Sequence, residues 1–89
     1  MIKGVNHITF SVKDVEESFD FYTTVLGCRP VARWPQGAYL MAGDVWLALV
    51  LDDQTRQEAL PEYSHIAFTV SRRNLAELSR RLEEREVVI

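Results

Sequence analysis

Apolar and polar residues alternate along VNHITFSV at 5–12 with the period of a strand. Val5, His7, Thr9 and Ser11 fall on one side, and Asn6, Ile8, Phe10 and Val12 on the other. The second side is greasy and predicts a helix packed upon it, whereas the His7, Thr9, Ser11 side is mixed and suits a cavity wall. From Asp14 the period lengthens. Asp14 followed by Glu17 has the spacing of a capping box, and Val15, Phe19, Tyr22 and Leu26 recur as one stripe of a helix that Gly27 closes. Three short strands then fit residues 29–34, 37–42 and 45–51, separated by the turn-forming PQG at 35–37 and AGD at 42–44; the last, VWLALVL, is nearly all apolar. The unit reads β-α-β-β-β.

The stretch DDQTRQEALPEY at 52–63 is polar and holds a proline, which predicts a linker. Then the pattern restarts. HIAFTV at 65–70 repeats HITFSV at 7–12 with two changes, and a strand over 64–70 places His65, Ala67 and Thr69 on one face and Ile66, Phe68 and Val70 on the other. A helix follows, begun by Ser71 or by Asn74 with Glu77, with Leu75, Leu78 and Leu82 on its buried stripe; a strand-like EVVI ends the sequence. The organisation is therefore α+β, with one complete βαβββ module at about 1–51, a linker at 52–63 and the first half of a second module at 64–89. The second copy lacks strands of the first, so either the chain continues past Ile89 or the sequence is a truncated product; the continuation is the expectation, because an orphan strand and helix leave an open sheet edge.

Composition narrows the function. A hydrophobic fraction of 47% and a charged fraction of 26% describe a globular domain, and a formal charge of −3 supplies no long-range attraction for nucleic acid or an anionic membrane. Cys28 is the sole cysteine, which rules out an internal disulfide and fits a reducing, cytoplasmic setting; no apolar run reaches the length of a membrane span.

His7 and His65 are the only histidines, and each heads one copy of the repeat. If the two strands are related by a pseudo-two-fold axis, both imidazoles can converge between modules. Two such nitrogens with one carboxylate leave open positions on Mn, Fe, Ni, Co or Zn. Passive retention after duplication explains the same pair equally well. No carboxylate within the sequence is well placed as the third ligand: Glu58 and Glu62 fall in the linker, Asp44 in a turn, and Glu77, Glu83, Glu84 and Glu86 on or beside a helix.

The opening NHITFSV with DVEESFDFYTTVLG, and more narrowly ARWPQGAYLMAGDVWLAL at 32–49 with EYSHIAFTV at 62–70, resemble fosfomycin-resistance glutathione transferases of the vicinal oxygen chelate superfamily. That superfamily also holds the glyoxalases, extradiol dioxygenases and bleomycin-binding proteins. The resemblance implies paired βαβββ modules in a homodimer, with each metal centre built where modules of two subunits meet. It implies His7 and His65 as metal ligands, with a glutamate beyond Ile89 as the third, Mn²⁺ as the ion and K⁺ as an activator in several members. By the same resemblance Thr9 stands beside the metal and assists epoxide opening, Tyr39 approaches the phosphonate, and Trp46 walls the pocket. On residue type alone, Thr9 is as well explained by strand propensity, and Tyr39 and Trp46 by packing.

The implied activity is addition of glutathione or another low-molecular-weight thiol to the epoxide of fosfomycin. Two rivals remain: isomerase, dioxygenase or hydrolase chemistry on the same scaffold, and metal-free sequestration of a drug. Cys28, just past a helix end with no basic partner identifiable, reads as a buried packing residue rather than a nucleophile.

Overall fold

In the computed structural model the described residues are 1–52 and 66–85. The chain divides into two compact units, Met1–Thr55 and Arg56–Ile89. In the first, β1 (His7–Val12) leads to α1 (Val15–Asp20), which runs on as a π-helical turn over Phe21–Val25; β2 (Arg29–Trp34), β3 (Gly37–Ala42) and β4 (Val45–Leu51) follow. The three strands predicted after the helix have the predicted bounds, because two-residue turns pin them. Pro35 and Gln36 form one, and Gly43, at φ 60, supplies the left-handed backbone of the other.

The sheet order is β1-β4-β3-β2. β2, β3 and β4 form an antiparallel meander, and β1 pairs parallel with β4 at the opposite edge. A parallel pair needs a crossover connection, and α1 with the two following strands provides it. One face of the sheet is dry: Val12, Val15, Ala38, Leu40, Leu47 and Leu49 form the core, and Ile8, Phe10, Phe19 and Tyr22 pack against it. The apolar side of β1 therefore meets the helix as its alternation predicts, and the Phe10 ring stacks on Tyr22 with centroids 5.9 Å apart.

The helix departs from the plain α-helix predicted. Asp14 caps it, its side chain accepting from the Glu17 N–H at 3.0 Å, but the second half widens. Thr23 donates its hydroxyl to the Phe19 carbonyl at 2.8 Å, and Thr24 donates to the Asp20 carbonyl and, at 2.7 Å, to its carboxylate. Hydroxyls that occupy carbonyls four residues back compete with the α-helical ladder, and the Leu26 N–H reaches five residues back to Phe21 at 3.1 Å. Gly27, at φ 75, then closes the helix.

Gly37 at the start of β3 is fixed by crowding. A Cβ there would lie 2.6 Å from the Leu49 carbonyl oxygen and 2.9 Å from the Trp34 indole. Gly37→Ala is expected to destabilise the protein by about 1–3 kcal/mol, the cost of forcing backbone and ring apart. A urea midpoint equal to wild type would contradict that close approach.

In the second unit, α2 (Arg72–Glu84) is capped by Ser71, whose hydroxyl accepts from the Asn74 N–H at 3.3 Å. Glu77 pairs with Arg80 and Arg81, and Arg80 also with Glu84. The Arg80 and Arg81 hydrogen bonds hold the Glu77 carboxyl at about 2, well below its ordinary range. Two predictions are corrected here. Residues 66–70 carry no strand, and the leucine stripe is not buried: Leu75 is 52% exposed, and Leu78 and Leu82 are half-buried. Ile66, Phe68 and Val70 are exposed as well, since a strand needs a ladder partner and an apolar stripe needs a facing layer. The predicted linker beyond Asp52, His65 and the terminal EVVI lie outside the described residues. Among those described, no helix is long and apolar enough to cross a membrane.

Candidate metal and substrate site

The face of the sheet opposite the core carries the candidate chemistry. Strand register builds it. His7 lies opposite Trp46 and Thr9 opposite Ala48 in the parallel β1–β4 pair, while Tyr39 lies opposite Ala48 from the other side. Thr9, Ala48 and Tyr39 thus form one row across three strands. Neighbouring strands run about 4.8 Å apart, so the threonine and tyrosine backbones stand on the order of 10 Å from each other with only a methyl group between. The small Ala48 leaves a hollow where a larger residue would fill the row.

This hollow, about 320 Å³ in volume, is lined by Asn6, His7, Thr9, Trp34, Tyr39 and Trp46 over a floor that includes Ala48. Four residues singled out from the sequence, His7, Thr9, Tyr39 and Trp46, are therefore brought together by the first unit alone. Three aromatic rings form a connected wall. Trp34 meets Tyr39 edge-on with centroids 4.9 Å apart, and Tyr39 meets Trp46 edge-on at 5.6 Å. All three remain open to solvent, at 38% for Trp34, 42% for Tyr39 and 38% for Trp46. Rings that serve only as core are seldom left so exposed.

Two lining residues escaped the sequence reading. Trp34 follows from register: it pairs with Gly37 across the Pro35–Gln36 turn, and the missing Cβ of Gly37 lets its indole lie close over the sheet. The glycine directly across a two-residue turn was the available signal. Asn6 is a correction. Alternation puts it on the Ile8 side, yet the regular strand begins at His7, and the Asn6 side chain turns to the hollow, its Oδ1 3.0 Å from His7 Nδ1.

His7 is solvent-exposed. With Nδ1 engaged by Asn6, its Nε2 remains as a donor for a cation. Among the described residues no group of three histidine, cysteine or acidic side chains gathers to hold a metal. The donor chemistry of His7 fits one position of an imidazole-bearing metal site. Thr9 is exposed, and its hydroxyl makes no hydrogen bond among those residues. Cys28 is half-buried at the far end of the helix, where burial raises its thiol pKa; Tyr22 is also raised, by burial first and then by Cys28. A thiol held protonated is a poor nucleophile, so Cys28 does not supply one to this hollow.

Comparison with known proteins adds a lineage to this geometry. The pattern describing the Glyoxalase/Bleomycin resistance protein/Dioxygenase superfamily matches residues 4–89. The chain is 41% identical to the glutathione transferase FosA of Serratia marcescens over 92 residues, covering 100% of this chain and 64% of that protein. It is 40% identical to the metallothiol transferase FosB of Staphylococcus haemolyticus over 90 residues, covering 100% and 65%. The chain thus spans a little under two thirds of the length of these relatives. Among solved structures, the fosfomycin resistance protein FosX of Mesorhizobium loti superposes with a TM-score of 0.76 at 27% identity, over 94% of this chain and 68% of that one. FosX of Listeria monocytogenes, complexed with Mn(II) and sulfate, shares the fold with a TM-score of 0.80 at 23% identity, over 97% and 66%.

Proposed function

The chain belongs to the Glyoxalase/Bleomycin resistance protein/Dioxygenase superfamily, and from that premise we propose that it acts as a metal-dependent thiol transferase on the epoxide of fosfomycin. The observation that carries this reading is the convergence of His7, Thr9, Tyr39 and Trp46 on one hollow, in a chain whose relatives include a glutathione transferase and a metallothiol transferase.

In this reading His7 provides one ligand through Nε2, His65 provides the second, and the ion is Mn²⁺, with K⁺ as an activator. A divalent cation bound there supplies Lewis acidity to an oxirane oxygen. The residues of the chain do the rest. The thiolate of glutathione, or of another small thiol, forms a C–S bond at a ring carbon as the C–O bond on its far side breaks. Thr9 donates a hydrogen bond to the oxygen that becomes an alkoxide, and solvent supplies the proton that completes the alcohol. Tyr39 directs its hydroxyl to the phosphonate, and the edge-to-face rings of Tyr39 and Trp46 exclude water from one side of the hollow. The active form is a homodimer in which modules pair across subunits, and it works in the cytoplasm.

The test is consumption of fosfomycin by purified protein with Mn²⁺ and glutathione, each omitted in turn. Product that carries the thiol and requires both the metal and the thiol is the expected result. Metal-dependent product without thiol incorporation would move the reaction to hydrolysis. Drug binding that survives thorough chelation, with no turnover, would make the protein a sequestering one.

A further inference from the structure

Among the described residues, Asn6 is the polar side chain in the hollow that contacts the imidazole there. Its Oδ1 stands 3.0 Å from His7 Nδ1. An amide oxygen can only accept, so this contact is a hydrogen bond in the tautomer that carries the ring proton on Nδ1; in that neutral imidazole Nε2 holds the lone pair. The partnership is fixed from behind, because the Asn6 carbonyl accepts from the Trp46 N–H at 3.2 Å. That bond extends the β1–β4 pairing one residue past the regular strand, and it holds the Asn6 backbone beside the strand that carries the aromatic wall.

We propose that Asn6 is a positioning residue that holds His7 as its Nδ1–H tautomer, so that the Nε2 lone pair faces the hollow and is available to a divalent cation. This rests on the metal-binding reading of His7 given above. It goes beyond it by assigning a role to a residue that alternation places on the wrong face. The outer partner of a metal-bound imidazole fixes ring orientation and raises ligand basicity, and its loss typically costs about 10–100-fold in metal affinity.

The experiment uses the full-length protein labelled with ¹⁵N at histidine, as wild type, Asn6→Ala and Asn6→Asp. Long-range ¹H–¹⁵N correlation spectra of metal-free protein, recorded where the imidazole is neutral, report which His7 nitrogen carries the proton. Wild type is expected to show the Nδ1–H form. Asn6→Ala should shift His7 towards the Nε2–H form that free imidazole side chains favour, and Asn6→Asp, which keeps an acceptor, should restore Nδ1–H. Mn²⁺ affinity, read by calorimetry, should fall by about 10–100-fold in Asn6→Ala and recover in Asn6→Asp.

A tautomer pattern in Asn6→Ala identical to wild type overturns the inference, as does an unchanged Mn²⁺ affinity in that variant. An Asn6→Ala protein that has lost affinity, while Asn6→Asp keeps the Nδ1–H pattern without regaining any, also counts against it. Wild-type protein that shows the Nδ1–H pattern yet binds no Mn²⁺ overturns instead the metal-site reading on which the second half of the inference depends. The two failures are told apart by the metal-free spectrum.

Discussion

Substituting His7 by alanine should abolish metal-supported turnover while leaving the fold intact. The imidazole is exposed on the open face of the sheet, on the side of β1 opposite Ile8, Phe10 and Val12. Its removal opens no cavity in the core, and stability should stay within about 0.5 kcal/mol of wild type, as for other surface changes. Loss of a second-layer partner alone costs about 10–100-fold in metal affinity, so loss of a direct ligand should cost at least about 100-fold. The measurements are Mn²⁺ binding by calorimetry, fosfomycin consumption, and a urea midpoint as the control for folding. Turnover that persists in the variant at wild-type Mn²⁺ concentrations would remove His7 from the site and the metal-dependent mechanism with it.

The second large effect is expected at Thr9. Threonine and valine have nearly the same shape and both favour strands, so Thr9→Val deletes a hydroxyl and little else. That hydroxyl faces the hollow and is uncommitted among the described residues. If it donates to the oxygen leaving the epoxide carbon, the bond is stronger in the transition state than in the bound substrate. Its loss then appears in kcat, by about 10²–10³-fold, with KM changed far less. Thr9→Ser keeps the donor and should retain most of the rate. A kcat for Thr9→Val within a factor of two or so of wild type would reduce Thr9 to a strand former; equal losses in Val and Ser variants would point to the methyl group and hence to packing.

Much of the site was legible because it depends on parity. Once β1 is recognised, His7 and Thr9 must share a face. Once PQG and AGD are recognised as turns, the bounds of β2, β3 and β4 follow; Tyr39 and Trp46, singled out only by the family resemblance, then fall on the side that does not hold Leu40 and Leu47. What remained hidden depends on contacts rather than period. Asn6 sits just outside the regular strand, where alternation no longer governs the direction of a side chain. Trp34 is recruited through an absent Cβ on a neighbouring strand. The π-helical turn arises because Thr23 and Thr24 compete for backbone carbonyls, a competition invisible to a hydrophobic stripe. Residues 66–70 have the alternation of a strand and are not one, because alternation marks a face suited to burial and a ladder requires a second backbone. Position by position, the sequence describes which way side chains can point; pairing decides whether they do.

The parallel pairing of β1 with β4 also has a bearing on how the chain acquires its shape. β1, which precedes the other described strands in the chain, finds its sheet neighbour among the described residues in β4, whereas β2, β3 and β4 are joined to one another by tight local turns. Contacts between sequence-distant segments form late, since a long intervening loop must be ordered before they are rewarded. On the ribosome, His7 and Thr9 therefore emerge early and wait, and they gain their aromatic neighbours only when Trp46 has been delivered and β1 docks alongside it. Assembly of the hollow and completion of the sheet are a single event, so no nascent intermediate that has yet to dock β1 presents His7 and Thr9 beside the aromatic wall.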